Sequence, residues 1–301
     1  MPKAPNVEEA LSDLPETLLI GVSGGIDSVA LLHASLATGR KPVVLHFDHG
    51  WRAESSADAE WARELARKAG VKFVGGKAPK SIEPREAEAR AARYAFFSRT
   101  ARRLAIPHLV LAHHADDQVE TYLLQLLRGS GAAGRGMQSL TKRDGLILHR
   151  PWLGVWRKDI RAYARRHRLA WREDATNRDL RHRRNLIREQ VLPYLKRRIS
   201  PQVPENLWRS AEIARAEGEW MDALCATDVD AKELDVKRLR ASPAGRQRRV
   251  VLRWLQRLGL RNLAFADVEA VRDLAMKNLP AKANLSEGKF ARRRAGKIFV
   301  E

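Results

Sequence analysis

Ser23-Gly24-Gly25-Ile26-Asp27-Ser28 gathers two hydroxyls, two glycines and a carboxylate into six residues, types that suit the holding of phosphate. Glycines let backbone N–H groups approach an anion closely, and a helix starting there adds about half a positive charge. The hydroxyls of Ser23 and Ser28 can donate to phosphate oxygens, and Asp27 can hold a magnesium ion against them. No glycine-rich loop ending in Gly-Lys-Ser or Gly-Lys-Thr occurs in the chain, so this phosphate site does without a lysine.

A second group, His113-His114-Ala115-Asp116-Asp117-Gln118-Val119-Glu120, puts acids at the start of a helix. Asp116 or Asp117 caps that helix, and Asp117 and Glu120 stand one turn apart on one side of it. Asp116, Asp117 and Glu120 are therefore candidates to bind magnesium, to position an amine or to accept its proton. The His-Glu-x-x-His spacing of a zinc helix is missing, which argues against a transition-metal centre.

Alternation of short apolar runs with amphipathic segments predicts strands at 17–21, 42–47, 71–75 and 107–113. Helices are predicted at 28–37, 56–69, 84–104 and 116–128, the third carrying an apolar stripe of Tyr94, Phe97 and Ala101. This is the pattern of a doubly wound α/β fold with a parallel sheet, in which ligands bind at the carboxyl ends of strands. Both motifs should then face one crevice. Residues 129–134 match Gly-x-Gly-x-x-Gly, but after a helix rather than a strand, so the match does not indicate dinucleotide binding. The stretch 157–198 reads as helices broken at 173–178, and two prolines within 200–204 mark a boundary. Helices at 208–224 and 246–258 and strands within 289–300, turning at Ala295-Gly296, suggest a small C-terminal α+β domain. The expected domains are 1–200 and 201–301.

The 301 residues carry a net charge of +20, unevenly placed. Residues 1–100 hold 14 basic and 13 acidic side chains, whereas 157–198 hold 15 against 5 and 246–301 hold 14 against 5. Two such blocks are the footprint of a nucleic-acid partner, and Arg183, Arg184, Arg188, Arg292, Arg293 and Arg294 are candidate contacts. Trp152, Trp156 and Trp171, set among arginines, are candidates for stacking on unpaired bases or for the core. Cys225 is the one cysteine, which excludes intramolecular disulfides and cysteine-based metal clusters. No apolar run approaches the roughly 20 residues that span a bilayer, and the first 15 residues do not read as a secretory signal, so a cytoplasmic protein with no obligate protein partner is expected.

Ser-Gly-Gly-Ile-Asp-Ser resembles the pyrophosphate loop (PP-loop) of the N-type ATP pyrophosphatases, which split ATP between its α and β phosphates. Further motifs narrow the likeness: His46-Phe47-Asp48-His49-Gly50-Trp51-Arg52, Glu86-Ala87-Glu88-Ala89-Arg90 leading into Arg93-Tyr94, the His113–Thr121 segment, and Leu127-Arg128-Gly129-Ser130-Gly131. Arg150-Pro151, Glu173-Asp174-Ala175-Thr176-Asn177 and Arg184-Asn185-Leu186-Ile187-Arg188 follow in order. Over residues 17–195 the chain resembles the tRNA(Ile)-lysidine synthetase family, departing at Trp51 and Ala175 without loss of a functional group.

That resemblance implies an ATP- and Mg2+-dependent ligase acting on the wobble cytidine of a CAU-anticodon isoleucine tRNA. It implies adenylation of cytosine O2 with release of pyrophosphate, then attack at C2 by the ε-amine of free lysine, expelling AMP. Ser23, Gly24, Gly25, Ile26, Asp27 and Ser28 would hold the ATP phosphates. Asp27, Arg93 and Asp117 would be catalytic, Arg93 neutralising charge on the α-phosphate or O2 and Asp117 handling the amine. Whether His46 and His49 pack or touch nucleotide stays open, and thiolation has no obvious nucleophile with Cys225 alone.

Overall fold

The computed structural model describes residues 6–48, 50, 55–78, 86–129, 134–172, 183–230, 232–260, 263–276 and 281–301. The sequence readings at His49, Trp51, Arg52, Pro84, 130–133 and 173–178 lie outside those residues. The chain forms two compact units: Met1–Thr121 with Met137–Trp208, and Tyr122–Gly136 with Arg209–Glu301.

In the first unit, β1 (Thr17–Gly21), β2 (Lys41–Asp48), β3 (Phe73–Lys77), β4 (His108–Val110), β5 (Leu140–Arg143) and β6 (Leu146–His149) make one sheet. Its order is β3-β2-β1-β4-β6-β5. All pairings are parallel except β5 with β6. That hairpin is a departure from a wholly parallel sheet, and it turns at Asp144-Gly145, where φ is 51° and 80°. Two consecutive residues with positive φ suit the right-handed twist of the flanking strands.

Side chains of β1 alternate between two cores. Leu18 and Ile20 pack with Val44 and Val110 against α1 (Ile26–Ala37), α2 (Ser55–Lys68) and, later in the chain, residues 160–164. Leu19 packs with Leu45, Leu109 and Leu148 against α3 (Glu86–Leu104) through Tyr94 and Phe97. A strand buried on both faces reads as a continuous apolar run, which is what Leu18-Leu19-Ile20 is. Gly76 in β3 admits the Phe96 ring where a Cβ would collide with it. Helix α4 (Ala115–Leu127) follows β4, and α5 (Arg157–Arg166) follows the sheet. Helix α6 (Arg183–Leu186), a π-turn (Ile187–Val191) and α7 (Leu192–Arg198) then run without interruption.

Helix α8 (Val203–Val229) begins where the sequence suggested a boundary. Pro204 stands in its first turn, where a missing N–H costs nothing. The second unit adds β7 (Leu234–Asp235), α9 (Val236–Ala241), α10 (Ala244–Arg257), α11 (Phe265–Asp273), β8 (Lys282–Asn284), β9 (Phe290–Arg294) and β10 (Lys297–Val300). Its antiparallel sheet, β7-β10-β9-β8, covers a core centred on Trp254, Leu255 and Ile298. Among the described residues no helix is long and apolar enough to cross a membrane.

Candidate active site

In this strand order the chain leaves β1 toward β2 on one side and returns as β4 on the other, so a crevice opens between the carboxyl ends of β1 and β4. The loop after β1 carries Ser23–Ser28. Gly24 has φ +94°, a conformation suited to glycine, and the Trp61 ring lies 3.6 Å from where its Cβ would be. The Arg172 backbone N–H donates to the Gly24 carbonyl at 3.0 Å and the Arg172 guanidinium pairs with Asp58 at 3.1 Å. His46, buried, donates from Nδ1 to the Val22 carbonyl at 2.8 Å, so it holds the loop's first residue. Ser28 Oγ donates to the Gly25 carbonyl at 2.9 Å, and the two serine hydroxyls stand 3.3 Å apart. The loop is thus shaped from beneath, with Gly25 as N-cap of α1 and Asp27 in its first turn.

Asp27 Oδ2 faces Arg157 Nε at 3.7 Å and His114 Nε2 at 3.8 Å, both beyond hydrogen-bond range. Its Oδ1 is sequestered from solvent with no hydrogen-bond partner among the described residues. A buried, unpaired carboxylate oxygen next to a phosphate-shaped loop fits a bound cation.

His114 links that loop to the acids of α4. Its ring is 2 % exposed, and its Nδ1 accepts from the Asp117 N–H at 3.3 Å while Asp117 Oδ2 accepts from the His114 N–H at 3.1 Å. Asp116 Oδ2 accepts from the Arg157 N–H at 2.9 Å, so the first turn of α5 is fastened to the first turn of α4. Burial alone would raise Asp117, but His114, Arg184, His113 and the His114 N–H outweigh it and hold the carboxyl below its ordinary range. Asp117 is therefore a carboxylate at neutral pH.

Glu120 is 1 % exposed and held by two arginines from the α6 segment. Arg184 Nε donates to one carboxylate oxygen at 2.7 Å and Arg188 Nε to the other at 2.6 Å. Both arginines also reach Asp117 Oδ1, at 3.1 and 3.3 Å. Sequence reasoning put the two acids with metal or lysine and the two arginines with RNA, and the fold brings all four into one network. No local spacing signals it, since the partners lie 64 and 68 residues apart.

Arg93 stands on α3 with its guanidinium 5.9 Å from the Tyr94 ring centroid. Arg183 is exposed at the start of α6. In β9, Arg292 and Arg294 face outward, while Arg293 donates to the carbonyls of Leu274 and Met276 at 2.9 and 2.7 Å. Trp152 is fully buried with its Nε1–H on the Val7 carbonyl at 2.9 Å, so it belongs to the core rather than to a stacking surface.

His113, next to this network, is pulled down from 6.5 to about 3, first by burial and then by the nearby arginines, against the opposing pull of Asp117. The unfolded chain takes up this proton near pH 6.5 and the folded chain refuses it until about pH 3, so stability from this residue falls as pH drops between those values. His113→Asn should lose less stability than the parent chain between about pH 7.5 and about pH 5, as read by chemical denaturation at each pH. Identical losses would place the acid sensitivity elsewhere.

A phosphate loop after β1 and an acidic helix start after β4, meeting at the switch point of this sheet, define a PP-loop nucleotide-binding domain. A family model described as the PP-loop domain matches residues 4–195, and one described as the TilS substrate binding domain matches 234–299. A tRNA(Ile)-lysidine synthase of Thermus thermophilus is 38% identical over 301 residues, which take in 95% of this chain and 57% of that one. One from Gloeobacter violaceus is 38% identical over 268 residues, covering 84% of this chain and 81% of that one. The chain belongs to the tRNA(Ile)-lysidine synthase family. It spans little more than half the length of the Thermus relative. The fold is also that of the U34-tRNA thiolase NcsA of Methanococcus maripaludis with its [4Fe-4S] cluster, at TM-score 0.52 and 12% identity over 65% of this chain and 70% of that one.

Proposed function

We propose that this chain uses ATP to join free lysine, through its ε-amine, to C2 of the wobble cytidine in the CAU anticodon of tRNA(Ile). The observation that carries the reading is the approach of the phosphate loop to the α4 acids, with His114 Nε2 standing 3.8 Å from Asp27 and 3.5 Å from Asp117. Such an arrangement can hold a nucleotide and an amine side by side.

In the first step cytosine O2 bonds to the α-phosphorus and the bond to the β-phosphate oxygen breaks, so pyrophosphate leaves. The start of α1 would receive that charge through its free N–H groups, and the Ser23 and Ser28 hydroxyls would turn from each other and from the Gly25 carbonyl to donate to it. Magnesium, held by Asp27 and phosphate oxygens, would supply charge neutralisation at the leaving group. Among the described residues no three side chains converge to hold a metal by themselves, so phosphate and water would complete the shell. Arg93 would neutralise charge on the α-phosphate or on O2.

In the second step the ε-amine adds to C2 and AMP leaves. Asp117 would receive the incoming ammonium and orient it, and the proton must be lost before attack. Asp117 and Glu120 already face two guanidiniums, so the ammonium exchanges with cations in place. The rival chemistry of the fold neighbour is not favoured: Cys225 is buried in the second unit, where burial pushes the thiol up and keeps it protonated.

Protein, ATP, lysine and tRNA(Ile) transcript should together release pyrophosphate and yield a lysine-modified nucleoside, with neither product when RNA is left out. RNA-independent pyrophosphate release would overturn the reading. Recognition of the tRNA would draw on the basic blocks, and the strand geometry refines how to test the second one. Arg293 braces the unit, so Arg292 and Arg294 are the pair to replace. Their double alanine variant should bind tRNA more weakly and flatten the dependence of log affinity on log salt by up to about two units. An unchanged slope would make this charge a solvated face.

A further inference from the structure

Outside the network of α4, a second cationic cluster is built around one buried phenol. Tyr94 is 2 % exposed, and the guanidinium carbons of Arg143 and Arg90 lie 4.9 and 5.0 Å from its ring centroid. Arg90 donates to the Tyr94 hydroxyl at 3.5 Å, and Arg150 lies near enough for Tyr94 to favour its charge and Arg90 to oppose it. Three separate elements contribute: α3 supplies Arg90 and Tyr94, β5 supplies Arg143, and Arg150 follows β6 directly.

Arg150 is the informative member. It is 7 % exposed, and Nη1 donates to the Gln138 carbonyl at 2.8 Å and to Thr141 Oγ1 at 3.0 Å. Its Nε is sequestered with no hydrogen-bond partner among the described residues. Burial and neighbouring Arg90 both act against its charge. Among the described residues, the carboxylate in ion-pair contact with Arg90, Arg143 or Arg150 is Asp144, 3.0 Å from Arg143 on the exposed turn. A pair that open to water contributes little. Cations gathered this closely repel one another unless an anion joins them, and guanidinium forks match the oxygens of a phosphate.

The position selects which phosphate. Arg150 follows the carboxyl end of β6, the end at which the catalytic crevice opens. Arg143 pairs with Leu146 at the other end of that strand and reaches Tyr94 with its guanidinium. Arg150 is also two to three strands from the β1 loop, roughly 10–15 Å at ordinary strand spacing. A nucleotide triphosphate seated on Ser23–Ser28 has its own donors, whereas the RNA strand that delivers a base to the crevice must carry its backbone past this edge. We propose that Arg90, Arg143 and Arg150, braced on Tyr94, form a phosphodiester-binding site for the single-stranded RNA backbone beside the target nucleotide. This rests on the reading of the chain as an RNA-modifying ligase, and it fixes where the strand lies.

The test uses the full chain, an anticodon stem-loop RNA with a CAU loop, and the variants Arg90→Ala, Arg143→Ala and their double. Each single change should weaken stem-loop binding about five- to tenfold and flatten the salt dependence by about 0.7 unit, the single-strand value per neutralised phosphate. KM for ATP, read by pyrophosphate release, should stay within about twofold. In a second arm the unmutated protein meets stem-loops in which single loop phosphates are replaced by neutral methylphosphonates. One or two of these should weaken binding as much as the double variant does, and should cost that variant nothing further. Unchanged affinity across the variants, or methylphosphonates that act equally on both proteins, would overturn the site. A raised KM for ATP with RNA binding intact would assign the cluster to the nucleotide and overturn it too. Failure of the unmutated protein to modify tRNA would instead sink the ligase reading, whatever the variants do.

Discussion

Asp27→Ala is expected to cut pyrophosphate release by about 10²–10³-fold, the scale of losing one group aimed at charge that develops in the transition state. The fold should survive. Asp27 has no hydrogen bond to Arg157 or His114, which stand 3.7 and 3.8 Å away, and its Oδ1 has no partner among the described residues, so losing the carboxylate breaks no hydrogen bond there. A midpoint of chemical denaturation close to that of the parent chain would separate lost chemistry from lost structure. Asp27→Asn keeps the shape and removes the charge, so it should be nearly as inactive if the carboxylate acts on a cation and phosphate. Near-normal turnover in either variant would mean that the loop after β1 does not hold the reacting phosphates.

Asp117→Asn should divide the two chemical steps. The variant keeps the size of the side chain, and Glu120 still holds Arg184 and Arg188 at 2.7 and 2.6 Å, so the network should stay assembled. What is lost is the negative charge that would receive an ammonium. Formation of the modified nucleoside should then fall by about 10²-fold or more, while adenylation falls far less, and adenylated RNA should accumulate in a rapid quench. Raising lysine concentration should restore part of the rate. Equal loss of both steps would assign Asp117 to ATP or to the metal ion.

What the sequence disclosed follows from the range over which each signal acts. The β1 loop and the start of α4 were legible because glycines, serines and adjacent acids act within a turn of the chain. Their meeting was legible too, since a parallel sheet brings strand ends together by rule. The β5–β6 hairpin went unread, because Leu140-Thr141-Lys142-Arg143 offers little apolar alternation. The Asp144-Gly145 dipeptide was its one clear sign. Pro201 and Pro204 read as a break, whereas in the structure they mark a turn and a helix start. Arg184 and Arg188 looked like part of a basic surface, and charge counting cannot separate an arginine that faces solvent from one that meets a buried glutamate across the fold. The Tyr94 cluster was hidden likewise, as its arginines come from three segments that tertiary packing unites.

The hold of Arg184 and Arg188 on Glu120 also sets an order of events at the ribosome. The sheet has its last strand once His149 is made, yet the cations that Glu120 requires come 64 and 68 residues after it. At 5–20 residues per second, a growing chain spends roughly 3–14 s with that glutamate made and its partners still to come. An unpaired carboxylate in such a place costs several kcal/mol, so the crevice wall stays open until the arginine segment emerges. Closure of the fold and completion of the acid–arginine network are then one event, and a chain stalled before it has every strand of its sheet but no finished site.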